Sequence, residues 1–147
     1  MLLHCDLVYA ARNARFQLPF VPLGITPEFG STYLLPLLAG YQRAAELLLL
    51  GQPFTAQKAQ EVGIVTAVVP QENLLAEARK RRRRSPRCRR ESLRLTKQLM
   101  KKRHGAIVRE TIARGDRSCS PSGSGSPEAK EAMSAFLEKR KPDFSRF

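Results

Sequence analysis

Cysteine is scarce in this sequence, and its three residues are widely separated, at Cys5, Cys88 and Cys119. An odd, scattered set fits a reducing compartment and argues against both a disulfide framework and a zinc site. We therefore expect three free thiols and no metal. Long apolar runs are also missing, since no stretch reaches the roughly 20 residues that a membrane-spanning helix needs. The first residues lack the basic region and apolar core of a signal peptide, so we expect a cytoplasmic protein.

Acidic residues are few: 13 stand against 26 basic ones, so the formal net charge is +13. Such a charge normally indicates a nucleic acid or an anionic membrane as partner. Nine of the basic residues fall in residues 79–90, which contain no acid, so the rest of the chain carries 13 minus 9, or +4.

Three interpretations of this basic tract stay open: a nucleic-acid or nuclear-targeting segment, a solvated basic loop, or a local shift of reading frame in the coding sequence. Nucleic acid is the least favoured, because no aromatic residue accompanies the arginines to stack on bases. The length of 147 residues fits one domain that buries about two thirds of its unfolded surface.

Residues 16–40 hold the most informative pattern. An apolar run, a turn rich in proline and glycine, and a predicted helix start follow one another, and one carboxylate, Glu28, lies where that helix should begin. Thr26 can cap the helix and Pro27 suits its first position. An acid in the first turn of a helix complements the helix dipole, at about 0.3–1 kcal/mol. On the pattern alone, this is the favoured role of Glu28.

Four short motifs follow one another in the first half of the chain. They are a cysteine-aspartate-hydrophobic opening at residues 5–7, an L-G-x-x-P-x-x-G turn at residues 23–30, an A-x-E-x-x-x-x-G run at residues 44–51, and an A-x-x-x-G-hydrophobic-V pattern at residues 59–65. Together with Ser-Pro-Glu at residues 126–128 and FLEKRKPDF at residues 136–144, they resemble the crotonase family of enoyl-CoA hydratases and isomerases. The resemblance covers about two thirds of the chain.

The resemblance implies an α/β fold: the C-terminal part of a crotonase-like ββα spiral, followed by a helical C-terminal extension. We expect a partial crotonase-like core in residues 1–70 and a helical region in residues 71–147, with a Ser/Gly-rich segment at residues 117–126. Members of the family bind the thioester oxygen of an acyl-CoA with two backbone N–H groups, while a carboxylate moves a proton at a neighbouring carbon. In the family both N–H donors precede the region matched here, so the resemblance implies a chain shortened at its N-terminus.

Glu28 matches the catalytic glutamate of the peroxisomal-type enoyl-CoA isomerases, whose L-G-x-x-P-E-G motif differs here only in having Phe29 for the last glycine. Hydratases of the family instead use two glutamates, one that would fall just before Met1 and one in a Q-P-E motif. That motif here ends in Phe20, which cannot transfer a proton. The resemblance therefore implies an isomerase that shifts a double bond from position 3 to position 2 through a thioester dienolate. It also implies a substrate pocket formed by Phe20, Leu23, Gly24 and Phe29.

The family's closing helix contributes to binding the CoA phosphates or adenine, so the resemblance implies CoA contacts from Lys139 and Lys141. Cations are favoured at that helix end in any case. The implied partners are an acyl-CoA substrate and further copies of the chain, in a trimer or hexamer, with no membrane partner and no cofactor beyond the substrate's CoA. Two alternatives stay open: a non-catalytic remnant that assembles with crotonase-like subunits, and a basic nucleic-acid-binding protein.

Local patterns predict the secondary structure. We expect strands at residues 2–10, 15–20 and 64–69. Helices are expected at residues 27–40 (kinked by Pro36), 41–50, 55–63, from 74 until the arginines break the apolar stripe, from 91 to 105, from 105 to about 113, and from 127. Thr55 and Ser126 are predicted as the caps of the helices that follow them. The helix at residues 41–50 is apolar almost all round and is predicted to be buried. The last helix is predicted to present one apolar face formed by Ala129, Ala132, Met133, Phe136 and Leu137.

Overall fold

The computed structural model describes residues 1–84, 89–119 and 126–145. These residues contain four short strands and six helices, joined by turns and loops. The strands are β1 (Tyr9–Ala11), β2 (Arg15–Phe16), β3 (Phe54–Thr55) and β4 (Ala67–Val69). The helices are α1 (Ser31–Ala39), α2 (Tyr41–Leu50), α3 (Ala56–Glu61), α4 (Leu74–Arg84), α5 (Arg90–Cys119) and α6 (Pro127–Leu137). Single 3-10 turns lie at Leu2–His4, Val21–Leu23 and Gln71–Asn73.

Two helix starts follow from side-chain caps that the sequence predicts. The Thr55 hydroxyl accepts a hydrogen bond from the Lys58 N–H at 3.2 Å and begins α3. The Ser126 hydroxyl accepts one from the Ala129 N–H at 3.1 Å and begins α6. Each cap satisfies one of the backbone donors that a helix leaves unpaired at its N-terminus. Both predicted starts are confirmed.

The chain divides into two compact units, each made of two separate stretches. The first unit comprises Met1–Phe16 and Phe54–Arg109, and the second comprises Gln17–Pro53 and Glu110–Phe147. Helix α5 begins among the residues of the first unit and ends among those of the second. The division at residue 70 rests on composition and motifs, and it stays a prediction.

Two small sheets lie in the first unit. Strands β1 and β4 are parallel, with Tyr9 opposite Ala67 and Ala11 opposite Val69. Strands β2 and β3 are antiparallel, and the stacked rings of Phe16 and Phe54 lie 5.7 Å apart between centroids. Small and β-branched side chains form the core next to the strands: Ala10, Ala11, Ala56, Ala59, Val62, Ile64 and Val65.

The strand predicted at residues 2–10 is wrong for most of its length. Residues Leu2–His4 form a 3-10 turn, and only the last part of the predicted range reaches β1. The apolar run in this segment resembles a buried strand, yet Leu2 is 42% and Leu7 59% exposed. The strands predicted at residues 15–20 and 64–69 exist but are shorter, at β2 and β4.

Three helices and one turn form the core of the second unit. Helix α1 packs on α2, and α6 packs on the turn at Val21–Leu23. The buried side chains are Leu35 of α1, Ala44, Leu47 and Leu48 of α2, and Ala129, Ala132 and Ala135 of α6.

The burial predicted for two of these helices is partly wrong. Helix α2 leaves Tyr41, Leu49 and Leu50 exposed, because only one of its faces is packed. In α6 the packed stripe consists of alanines, whose small side chains allow close approach, while Met133, Phe136 and Leu137 lie outside it. An apolar pattern shows which residues resemble a core, but the packed face depends on the neighbours.

One expected interruption of a helix is absent from the structure. Pro36 lies inside α1, which ends before Gly40 as predicted, and the kink at Pro36 stays a prediction. Gly105 lies inside α5, which runs unbroken from Arg90 to Cys119, so the predicted separation into two helices is wrong. A single glycine costs a helix interior only about 1 kcal/mol, which a long helix tolerates.

The described residues bear on several of the expectations from composition. Within the described ranges, no helix is both long and apolar enough to cross a bilayer. Helix α4 continues through the first arginines of the basic tract as far as Arg84, while residues 85–88 lie outside the described part. The Ser/Gly-rich segment overlaps the end of α5, and its residues 120–125 also lie outside. Cys5 is an exposed free thiol, whereas Cys88 and the side chain of Cys119 are not described.

An ion cluster joins the start of the chain to α5 inside the first unit. The Asp6 carboxylate pairs with Lys97 and, at 3.2 Å, with Lys101. The hydrogen bond from the Lys97 ammonium, reinforced by Lys101, lowers the pKa of Asp6 below its ordinary value. All three side chains are about half exposed, so water and salt weaken the cluster.

Asp6→Asn tests this cluster. The pKa of Asp6 is lower in the folded state than in the unfolded state, so its contribution is complete above the unfolded value and is lost as pH falls through the folded one. We expect the variant to lower the free energy of unfolding by at most about 1 kcal/mol at pH 7, with the difference shrinking below about pH 4. Urea unfolding across pH measures it, with Glu72→Gln as the control for losing an exposed acid. A difference that grows on acidification would contradict the assignment.

Candidate functional site

A hydrogen-bonded turn carries most of the predicted pocket residues. The Phe20 carbonyl accepts hydrogen bonds from the Leu23 N–H at 3.1 Å and the Ile25 N–H at 3.0 Å. The Gly24 N–H donates to the Val21 carbonyl at 2.9 Å. These bonds close the chain on itself, so the backbone of Phe20, Leu23 and Gly24 forms one rigid turn.

Glycine is required at position 24 for two reasons. Its φ of +67° lies in the left-handed region that side chains disfavour. A Cβ placed on Gly24 would also lie 2.8 Å from the Ala129 Cα and 3.0 Å from its nitrogen. The first turn of α6 therefore packs directly against the backbone of the predicted pocket turn.

The other side of the turn is held by the end of α2. Gly51, which follows α2 with φ +58°, lies so close to Pro22 that a Cβ there would come within 2.6 Å of the proline ring. The Gln17 side-chain amide also donates to the Gly51 carbonyl at 2.9 Å. The turn is thus held between two helix ends of the same unit.

Glu28 lies in the loop between this turn and α1, not in the helix. Helix α1 begins at Ser31, and its N-cap is Gly30, which makes no side-chain capping bond. The predicted helix start at Pro27 and the capping role of Thr26 are therefore wrong. The physical reason is the backbone of Phe29 and Gly30, whose φ values of +54° and +65° cannot belong to a right-handed helix.

The carbonyl of Glu28 is fixed by the residue that begins the helix. It accepts hydrogen bonds from the Ser31 hydroxyl at 2.7 Å and from the Ser31 N–H at 3.0 Å. The Glu28 side chain is half-buried, whereas Phe29 is 50% exposed. A half-buried carboxylate on an anchored backbone is suited to proton transfer, because it is positioned yet still reached by a ligand.

Lys139 and Lys141 follow α6 and are exposed. The helix ends in a Schellman turn: the Arg140 N–H donates to the Ala135 carbonyl at 2.9 Å, and Lys139 takes the left-handed position with φ +55°. The Arg140 guanidinium pairs with Glu131 and, at 2.6 Å, with Glu138. The hydrogen bond from Arg140 lowers the pKa of Glu138 below its ordinary value.

The structure brings some of the predicted site residues together and separates others. Phe20, Leu23, Gly24, Glu28 and Phe29 share one continuous loop of the second unit. The two lysines lie at the opposite end of α6 from Gly24, because Ala129 packs on Gly24 and the helix then runs on to Leu137, about 12 Å along its axis.

Three neighbours of these residues were not predicted from the sequence. Ser31 has no recognisable motif, and its burial follows only from the folded loop. Ala129 belongs to a helix start that the Ser-Pro pair predicts, but its contact with Gly24 is not visible in the sequence. Arg140 pairs with Glu131 nine residues away, a spacing that no helix-face rule connects.

Metal chemistry was not expected from the sequence. In the ranges that the structure describes, no group of three or more His, Cys, Asp or Glu side chains is arranged to hold a metal ion.

Comparison with known proteins decides the family. The profile of the enoyl-CoA hydratase/isomerase family matches residues 1–146. The chain belongs to the enoyl-CoA hydratase/isomerase family. This enoyl-CoA hydratase/isomerase family protein is 36% identical to the 2,3-dehydroadipyl-CoA hydratase of Escherichia coli (strain K12), over 98% of the chain and 56% of that enzyme. It is 38% identical to the enoyl-CoA delta isomerase 2 of Rattus norvegicus, over 66% of the chain and 25% of that enzyme.

A solved structure confirms the predicted crotonase-like fold. The enoyl-CoA hydratase/isomerase from Pseudoalteromonas atlantica T6c superposes with a TM-score of 0.91 at 36% identity, covering 98% of this chain and 58% of that one. The chain spans about half the length of the Escherichia coli hydratase and of two further relatives that it matches. Relatives named as hydratases and as isomerases both occur, so the family membership does not by itself assign the reaction.

Gly24→Ala tests the close contact of the turn with α6. The added methyl group meets the Ala129 backbone and forces a side chain into a left-handed conformation, so we expect a loss of about 2–4 kcal/mol in the free energy of unfolding. Gly105→Ala is the control, because its new Cβ meets only the flexible end of Arg109 at 3.6 Å. In mid-helix it should stabilise by up to about 1 kcal/mol. Equal effects of the two substitutions in urea unfolding would contradict the close contact.

Proposed function

We propose that this family member is an enoyl-CoA isomerase in which Glu28 transfers the proton. The proposal rests on the residue types at two motif positions, Glu28 and Phe20, which lie on the same loop around the rigid turn. A carboxylate lies at one motif position, and an apolar ring replaces the acid that a hydratase of this family needs at the other. A single carboxylate can move a proton, but it leaves no second acid to help add water.

The reaction requires only one base. Glu28 takes a proton from C2 of a 3-enoyl-CoA, and the electrons of the broken C–H bond spread over C2, C4 and the thioester oxygen as a dienolate. Glu28 then returns the proton to C4, so the double bond lies between C2 and C3. No water is consumed, because the same proton leaves and returns on one face.

Apolar neighbours assist this base. Phe20 and Leu23 are half-buried on the adjoining turn, and apolar surroundings exclude water from a proton transfer. The negative thioester oxygen needs fixed N–H donors, which supply the largest share of such catalysis. By the family resemblance, these donors belong to a region of the related enzymes that precedes the part matched by this chain.

Binding of the CoA ester is part of the same proposal. Phe20, Leu23, Gly24 and Phe29 form the acyl side, and Lys139 and Lys141 bind the anionic CoA end. The lysines suit phosphate groups because both are exposed and positively charged. We also propose that the protein works as a homo-oligomer in the cytoplasm, uses no cofactor beyond the CoA of the substrate, and does not act on nucleic acid.

Glu28→Gln tests the proposal. The amide keeps the size of the side chain but cannot take a proton, so we expect turnover to fall by at least about 10²-fold with little change in affinity for the CoA ester. The assay follows formation of the conjugated thioester from 3-enoyl-CoA by ultraviolet absorbance. It uses the chain alone and a joined protein, in which the chain follows the part of the Escherichia coli relative that precedes the matched region.

Glu128→Gln is the matched control, since it removes an exposed acid from the same unit and should leave turnover unchanged. Substrate deuterated at C2 adds a second readout, because transfer by one base delivers part of the label to C4. Near parental turnover by Glu28→Gln would refute the role of Glu28. Hydration of 2-enoyl-CoA by the chain alone, without isomerisation, would make the protein a hydratase, because the joined protein also carries the first hydratase glutamate of the Escherichia coli part. No turnover in either form would favour the non-catalytic remnant.

A further inference from the structure

Ser31 is the one polar residue among those described that is buried, with 4% of its surface exposed. A buried hydroxyl costs free energy unless it is hydrogen-bonded. Its hydrogen bond goes to the Glu28 carbonyl at 2.7 Å, and the Ser31 N–H donates to the same oxygen at 3.0 Å. Both donors of Ser31 therefore act on Glu28.

The hydroxyl does not serve as the helix cap. A capping serine accepts a hydrogen bond from an N–H further along the helix. Ser31 is instead the first residue of α1 and follows the N-cap Gly30. Its hydroxyl donates to the carbonyl of Glu28, three residues earlier in the chain. Helix formation alone does not require a hydroxyl at this position.

The bond spans the least favourable backbone of the loop. Phe29 and Gly30 are both left-handed, and a left-handed pair can relax toward other conformations unless its two ends are tied together. The two hydrogen bonds from Ser31 to the Glu28 carbonyl hold the two ends of this pair together. They thereby restrict the direction of the Glu28 Cα–Cβ bond. Errors of about 1 Å in the place of a reacting group can cost as much as 10²-fold in rate.

We infer that Ser31 is a positioning residue for Glu28: its buried hydroxyl holds the backbone of the base in the orientation needed for proton transfer. The inference rests on the proposed function and adds to it the residue that sets the geometry of the base. Ser31 does not touch the substrate in this scheme, so its loss affects turnover and leaves binding of the CoA ester unchanged.

Ser31→Ala tests the inference in whichever form of the protein, chain alone or joined, turns over 3-enoyl-CoA. We expect kcat to fall about 10-fold with KM changed less than about 2-fold, in line with the loss of one hydrogen bond. Ser31→Thr keeps the hydroxyl and should retain most of the turnover even if its methyl group lowers stability. Thr32→Ala, which removes an exposed hydroxyl one residue later, should have no effect.

A double-mutant cycle separates positioning from general damage. If Ser31 acts through Glu28, Ser31→Ala should lower the residual rate of the Glu28→Gln variant much less than it lowers that of the parent. Equal factors in both backgrounds, or a Ser31→Ala variant with parental kcat, would overturn the inference while leaving the role of Glu28 intact. Parental turnover by Glu28→Gln, or no turnover in either form, would overturn the proposed function and this inference with it.

Discussion

The close contact between Gly24 and the Ala129 backbone is the constraint on which the candidate site depends. Two backbones lie so near that no side chain fits between them, and the contact joins residues more than 100 positions apart in the chain. The turn carrying Phe20 and Leu23 is therefore placed by the start of α6, which the Ser126 cap fixes in turn. Close-packed interiors transmit small displacements, so the C-terminal helix helps to determine the geometry of the loop.

Phe29 shows how this loop departs from the pattern of the isomerases it resembles. Those enzymes have glycine at this position, where a left-handed backbone costs nothing, whereas a phenylalanine there costs about 1–2 kcal/mol. The two hydrogen bonds from Ser31 to the Glu28 carbonyl contribute about 0.5–1.5 kcal/mol each and offset that cost. The loop thus keeps its conformation without the glycine, and the phenylalanine ring stands half exposed beside the proposed base.

The sequence predicts the elements that depend on local signals and fails where the neighbours decide. The caps of α3 and α6 were predictable because the side chain and the N–H it bonds lie three residues apart. The start of α1 was not, because Thr26 and Pro27 look like a cap and a first turn, whereas the left-handed Phe29 delays the helix to Ser31. A left-handed phenylalanine is uncommon, and no local pattern of residue types indicates it.

The same distinction applies to the candidate site. The motif around Glu28 and the loss of the acid at Phe20 were visible in the sequence, because they are properties of residue type at fixed spacing. The burial of Ser31 and the contact of Gly24 with Ala129 were not visible in the sequence. Both depend on segments that come together only in the folded unit. The family resemblance therefore identifies Glu28 as the candidate base, whereas the structure identifies the contacts that position it.

The net charge of the chain does not belong to the unit that carries Glu28. The residues of the first unit include 18 basic and 5 acidic ones, a net +13, whereas those of the second include 8 of each and are neutral as a whole. Beyond a Debye length of about 8 Å at physiological salt, exposed charges are largely screened. If the second unit binds an anionic CoA ester as proposed, the attraction comes from cations near the ligand itself. Arg140 is already paired with Glu131 and Glu138, which leaves Lys139 and Lys141 as the better candidates at that helix end.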